Sequence, residues 1–188
     1  MKGDITISLP QEKLYTIEDY WNLPVTEQYV ELLDGHIYYM APPSRIHQKI
    51  LGSIFSKISQ YIENNNGDCE VYPAPFAVQL KEDENTIVEP DISVICDLNK
   101  LTDKGCTGAP DWIIEIVSPS NSSHDYVLKL NKYLAAGVRE YWIVDPMKKR
   151  VFVYKFDGDS TELLSYTFHD IIKVGIYEDL SIDFSRFL

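Results

Sequence analysis

Glu115 stands inside Trp112-Ile-Ile-Glu-Ile-Val117, a run of β-branched and aromatic residues without polar alternation. A run of this length and composition reads as a strand covered on both faces. A carboxylate left unpaired in such an interior is costly, so the fold must bring Glu115 a cation or a proton. A second acidic residue, Asp91, opens another apolar run in Glu89-Pro-Asp-Ile-Ser-Val-Ile-Cys96. Two carboxylates facing inward from neighbouring strands would make an oxygen-donor site for a divalent cation. The sequence therefore predicts that Asp91 and Glu115 converge.

The rest of the chain is that of an ordinary globular protein. Its 188 residues, 45% hydrophobic and 24% charged, are expected to form one domain, residues 1–188, with a core of its own. No stretch approaches the roughly 18 apolar residues that a membrane span needs. Met1-Lys-Gly-Asp4 carries no apolar leader, so neither membrane nor secretion is expected, and the chain is assigned to the cytoplasm. The three cysteines, Cys69, Cys96 and Cys106, lack zinc-ligand spacing and are read as unpaired thiols of a reducing compartment. A net charge of −12 opposes strong non-specific attraction to phosphates, although a local basic groove remains compatible with it.

In chain order, Thr16 caps a short helix through Trp21. Asp34-Gly35, between Tyr29–Leu33 and His36–Met40, is a strong hairpin signal. From Arg45 to Ile62, apolar residues every three or four positions predict an amphipathic helix, ended by Asn64-Asn-Asn-Gly67. Strands are expected at 69–72, at 76–80 and at Asp91, and residues 97–110 read as a solvated, mobile loop. After the Glu115 strand, Ser122 and Asp125 suggest a capping box opening a helix to Ala136. Plotted with Leu130 at the centre of its buried face, that helix has Tyr126, Val127, Tyr133 and Leu134 around the centre. Lys129 then falls at the border and Lys132 in solvent. Residues 140–145 and 151–156 form a strand pair, and short strands close the chain.

Pro90-Asp91, then Glu115-Ile-Val-Ser-Pro-Ser120, then Asp125, Lys129 and Tyr133 at intervals of four, then Gly137-Val-Arg-Glu-Tyr-Trp-Ile-Val-Asp-Pro146 follow in a fixed order. With Glu31-Leu-Leu-Asp-Gly35 and His47, this set closely resembles the Uma-two family of restriction-endonuclease-like nucleases, within the PD-(D/E)XK superfamily. The resemblance runs from about Tyr15 to Phe156. It implies an α/β (α+β) restriction-endonuclease-like fold, a mixed central β-sheet flanked by helices with an extra antiparallel β region. It also implies a Mg²⁺- or Mn²⁺-dependent endonuclease acting on DNA. In one place the sequence departs from the superfamily pattern: Val117 occupies the position of the motif lysine, two residues past the acid. The resemblance then implies that Lys129 takes the lysine's role.

The expected site is thus Asp91 and Glu115 as metal ligands, with Lys129 completing the catalytic set by orienting water or meeting transition-state charge. Glu31 completes the acidic cluster, as the resemblance suggests, or faces solvent. His47 contacts metal or phosphate, or is an exposed histidine. No organic cofactor is expected. A homodimer is, since cutting two strands needs two sites or two binding events. Two other readings stay open: a catalytically silent nuclease-fold binding module, and a metal phosphodiesterase acting on RNA or small nucleotides.

Overall fold

The computed structural model describes residues 13–24, 30–80, 85–118, 123–158 and 160–188. The expected capping box at Ser122 and Asp125 involves side chains outside the described set. Thr16 opens α1 (Ile17–Trp21) with a reciprocal cap, its side chain and that of Asp19 each accepting from the other's backbone. The strands β1 (Val30–Leu33) and β2 (His36–Tyr39) pair antiparallel. Their turn places both Asp34 (φ 50) and Gly35 (φ 79) in the left-handed region, which a two-residue hairpin turn of type I′ requires.

Twenty residues form α2 (Arg45–Asn64), and its buried Ile50, Ile54, Ile58 and Ile62 repeat every four residues. Then come β3 (Glu70–Pro73), β4 (Val78–Gln79), β5 (Ile87–Val88), β6 (Ile92–Ile95), β7 (Leu101–Thr102), β8 (Gly105–Thr107), β9 (Trp112–Ile116) and α3 (Ser123–Ala136). The strands β10 (Glu140–Asp145), β11 (Arg150–Asp157), β12 (Ser160–Thr167), β13 (Ile171–Lys173) and β14 (Ser181–Asp183) finish the chain. The central sheet runs β12-β11-β10-β9-β6-β3, with β9 parallel to β10 and antiparallel to β6. A second sheet runs β2-β1-β5-β4-β8-β7. It is antiparallel except where β4 and β8 run parallel, so the extra β region is mixed rather than purely antiparallel.

Every residue of β9 is buried, as a covered strand requires. Trp112, Ile114 and Ile116 point into a core shared with α2, β10 and the C-terminal Phe184 and Phe187. Ile113 faces the other way, into a core with Leu33, Val78, Val88 and Tyr133 from the second sheet and α3. Successive side chains of a strand alternate between faces, so Glu115 shares the side of Ile113.

Three expectations are corrected. Residues 97–110 are not a loose connector: Leu101–Thr102 and Gly105–Thr107 pair as a hairpin on the edge of the second sheet. Gly105 is obligatory there, at φ +136, because a Cβ would sit 2.1 Å from the Ala77 carbonyl oxygen. Gly105→Ala is expected to destabilise by at least about 3 kcal/mol, read as a lower urea midpoint at unchanged slope. Cys69 and Cys96 are not free thiols but a disulfide. The β3–β6 register, Glu70↔Ile95, sets them opposite each other, and a separation of 27 residues hid this in the sequence. The pairing removes the argument from unpaired thiols to a reducing compartment. Cys106 stays free and buried, and burial pushes its thiol up to about 11. Finally, the buried stripe of α3 is Tyr126, Lys129 and Tyr133, while Val127 and Leu134 are exposed. The helix is rotated from the face centred on Leu130. Among the described residues no helix is long and apolar enough to cross a membrane.

Candidate active site

The β6–β9 pairing decides where the two acids go. Ile92 lies opposite Ile114, and Ser93 opposite Ile113. One step further along this register Asp91 meets Glu115, and directly opposed residues of an antiparallel pair share a face. Both line one cavity of about 70 Å³, together with Glu89, His47, Ile116 and Ser118. Asp91 Oδ2 accepts the backbone N–H of Ile116 at 2.7 Å and lies 3.1 Å from His47 Nε2. The α2 cap, in which Ser44 Oγ accepts from the His47 backbone N–H, holds this histidine at the first turn. There its side chain is buried rather than exposed.

The group that meets Glu115 is Lys129. Its ammonium donates to Glu115 Oε1 at 3.1 Å and to Glu31 Oε1 at 2.8 Å. Glu31 therefore does not face solvent: it is 1% exposed, as is Lys129. One helical turn on from Lys129, the Tyr133 hydroxyl donates to the same Glu115 Oε1 at 2.9 Å. Lys132, expected in solvent, instead reaches Asp34 in the hairpin turn at 2.6 Å and ties α3 to the second sheet.

The electrostatics are those of crowded acids, Glu31 and Glu115 buried and Glu89 and Asp91 half-buried. Among the described residues, Lys129 is the ammonium that pairs with Glu31 and Glu115, while Glu89 and Asp91 line the cavity beside Glu115. Burial is the largest influence on Glu115 and raises its carboxyl to about 7. Lys129 opposes this, the charges of Asp91 and Glu31 add to it, and Tyr133 opposes it again. Burial likewise raises Glu89, against the pull of the Tyr20 hydroxyl, with Glu31 pushing further up and Lys129 down. Burial also holds the Tyr133 phenol well above its ordinary range.

Oxygen donors with surplus negative charge suit a hard divalent cation, and the cavity has room for an ion with water. Glu31 Oε2 and Glu89 Oε2 are buried with no hydrogen-bond partner among the described residues. The donor set therefore fits Mg²⁺ or Mn²⁺, although among the described residues no three acids or histidines are gathered as a ready-made coordination shell.

The sequence reading assigned no role to Tyr133, Glu89 or Tyr20. The first was legible as the residue four after Lys129 on one helix face, and the second as two before Asp91 in extended chain. Tyr20, whose hydroxyl donates to Glu89 Oε1 at 3.0 Å, had no sequence signal, because α1 lies 69 residues away.

A family named Uma2 and described as "putative restriction endonuclease" matches residues 17–184. An uncharacterized protein of Synechocystis sp. is 26% identical over 146 residues, 77% of this chain and 75% of that protein. A crystal structure from Anabaena variabilis, described as "a putative nuclease belonging to DUF820", matches with a TM-score of 0.75. It covers 92% of this chain and 96% of that one at 23% identity, which is a likeness of fold.

Proposed function

The chain belongs to the Uma2 family, and from that premise we propose that it is a divalent-metal-dependent endonuclease that hydrolyses phosphodiester bonds in DNA. The fold is the restriction-endonuclease-like one. One observation carries the reading: Asp91, just ahead of β6, and Glu115, within β9, line a single cavity while the Lys129 ammonium sits 3.1 Å from Glu115.

In this reading Asp91 and Glu115 hold the ion. Mg²⁺ or Mn²⁺ bound there would acidify water and neutralise charge on the phosphodiester. The chain's own groups prepare the place. Lys129 and Tyr133 both bind Glu115 through Oε1, which leaves the other oxygen of that carboxylate for the ion. His47 and the Ile116 backbone N–H both engage Asp91 Oδ2, fixing its orientation. Lys129 adds the positive charge that steadies an anionic transition state. Cleavage leaves a phosphate on one end and a hydroxyl on the other.

One observation favours a rival. Lys129 is 1% exposed and paired with two carboxylates, which is what a silent module would keep as a structural ion pair. Plasmid nicking with Mg²⁺ or Mn²⁺ separates the two: the hydrolase nicks supercoiled DNA and is stopped by EDTA, whereas the silent module folds and leaves DNA intact. An RNA and dinucleotide panel in the same buffer tests the third reading, which requires faster cleavage of those substrates than of DNA. A homodimer belongs to the proposal as the means of cutting both strands, and light scattering measures it.

A further inference from the structure

The cavity that holds Asp91 and Glu115 has another carboxylate on its wall, Glu89, to which the mechanism above gives no task. A residue before proline is held extended, and in extended chain residues two apart face the same side. Pro90 therefore sends Glu89 and Asp91 into one space. Two contacts fix Glu89: its backbone N–H donates to Glu31 Oε1 at 2.9 Å, and its Oε1 accepts the Tyr20 hydroxyl at 3.0 Å.

Its second oxygen, Oε2, is shielded from solvent and accepts no hydrogen bond from the described residues. The same holds for Oε2 of Glu31, which is 1% exposed and touches the Glu89 backbone through its other oxygen. His47, 5% exposed and on the cavity wall, also has a ring nitrogen, Nδ1, without a partner among the described residues. Buried polar atoms are nearly always satisfied. An unsatisfied carboxylate oxygen on the wall of the cavity that Asp91 and Glu115 line lacks an electrophile, and a hard cation is the electrophile that oxygen donors take.

We propose that Glu89 is a third carboxylate ligand of the divalent cation held by Asp91 and Glu115, with the Tyr20 hydroxyl as its positioning residue. This rests on the metal-dependent reading above. Glu89 keeps Oε1 on Tyr20 and turns Oε2 to the ion, so α1, remote in sequence, is hooked to the site.

Mn²⁺ titration of the full chain, followed by the electron paramagnetic resonance of the free ion, tests this without reference to activity. Near-ultraviolet circular dichroism checks the fold of each variant. Wild type is expected to bind Mn²⁺ and Asp91→Asn to lose it. Glu89→Gln, which can still accept from Tyr20, is expected to bind at least about tenfold more weakly, and Tyr20→Phe about threefold more weakly. Glu89→Asp keeps the charge but withdraws it by one methylene. It too should bind more weakly, and it serves if the Gln variant does not fold. Binding by the Glu89 variants within twofold of wild type, with Asp91→Asn inert, overturns the proposal and leaves the two-carboxylate reading standing. A wild type that binds no Mn²⁺ overturns both.

Discussion

Glu115→Gln is expected to move activity and stability in opposite directions. Metal-dependent plasmid nicking should fall by roughly 10³-fold, the scale of losing a group that stabilises transition-state charge. The metal-free protein should be no less stable above pH 7 than wild type. The reason lies in what the carboxylate endures. Burial first, then the charges of Asp91 and Glu31, outweigh Lys129 and Tyr133 and raise Glu115 from 4.5 to about 7. A folded value above the unfolded one means that the wild-type contribution to stability is whole below about 4.5 and is lost as pH rises through about 7. Gln is isosteric, and its amide oxygen still accepts from Lys129 and Tyr133, so the variant sheds the buried charge and keeps the hydrogen bonds. Thermal melts in EDTA from pH 5 to pH 8, beside nicking time courses, read both quantities. A variant that nicks like wild type sinks the catalytic assignment, and one that loses activity only by unfolding makes Glu115 structural.

Much of this site was legible before the fold was known, and the reason is local. Glu115 in an apolar strand demanded a partner whatever the topology, and that demand is met by Lys129 and Tyr133. The Asp34-Gly35 turn and the four-residue spacing of α2 are likewise short-range signals, and the structure carries both. What the sequence hid was set by partners far along the chain. Hydrophobicity alone centred the buried face of α3 on Leu130, but two carboxylates from β1 and β9 draw the Lys129 ammonium inward. The helix turns with it, leaving Val127 and Leu134 exposed. The disulfide depends on the β3–β6 register, and the hairpin within residues 97–110 depends on the β4 edge that receives it. Neither dependence is written in the local pattern.

The largest expected effect on stability comes from Lys129→Met. Methionine nearly matches the lysine stem in volume, so little cavity is opened and the lost quantity is charge. Lys129 links Glu31 and Glu115 at 2.8 and 3.1 Å in an interior where it is 1% exposed. Removing one member of a buried ion group leaves uncompensated charge and costs about 3–5 kcal/mol. A proton can stand in for the missing ammonium. Without Lys129, whose charge lowers Glu115, the carboxyl is raised further. The variant's deficit should therefore be small at pH 5 and grow as pH climbs through about 7. Urea unfolding across that range measures it. A divalent ion should stand in as well, so millimolar Mn²⁺ at pH 8 is expected to recover stability in Lys129→Met more than in wild type. This rescue also separates the two readings of the lysine. If the metal-restored variant folds and binds Mn²⁺ but nicks plasmid about 10²-fold more slowly, Lys129 acts in the chemistry. If it nicks at the wild-type rate, the ammonium only balances charge. A variant whose unfolding matches wild type at every pH would mean that this ion pair is not what makes a carboxylate tolerable at position 115.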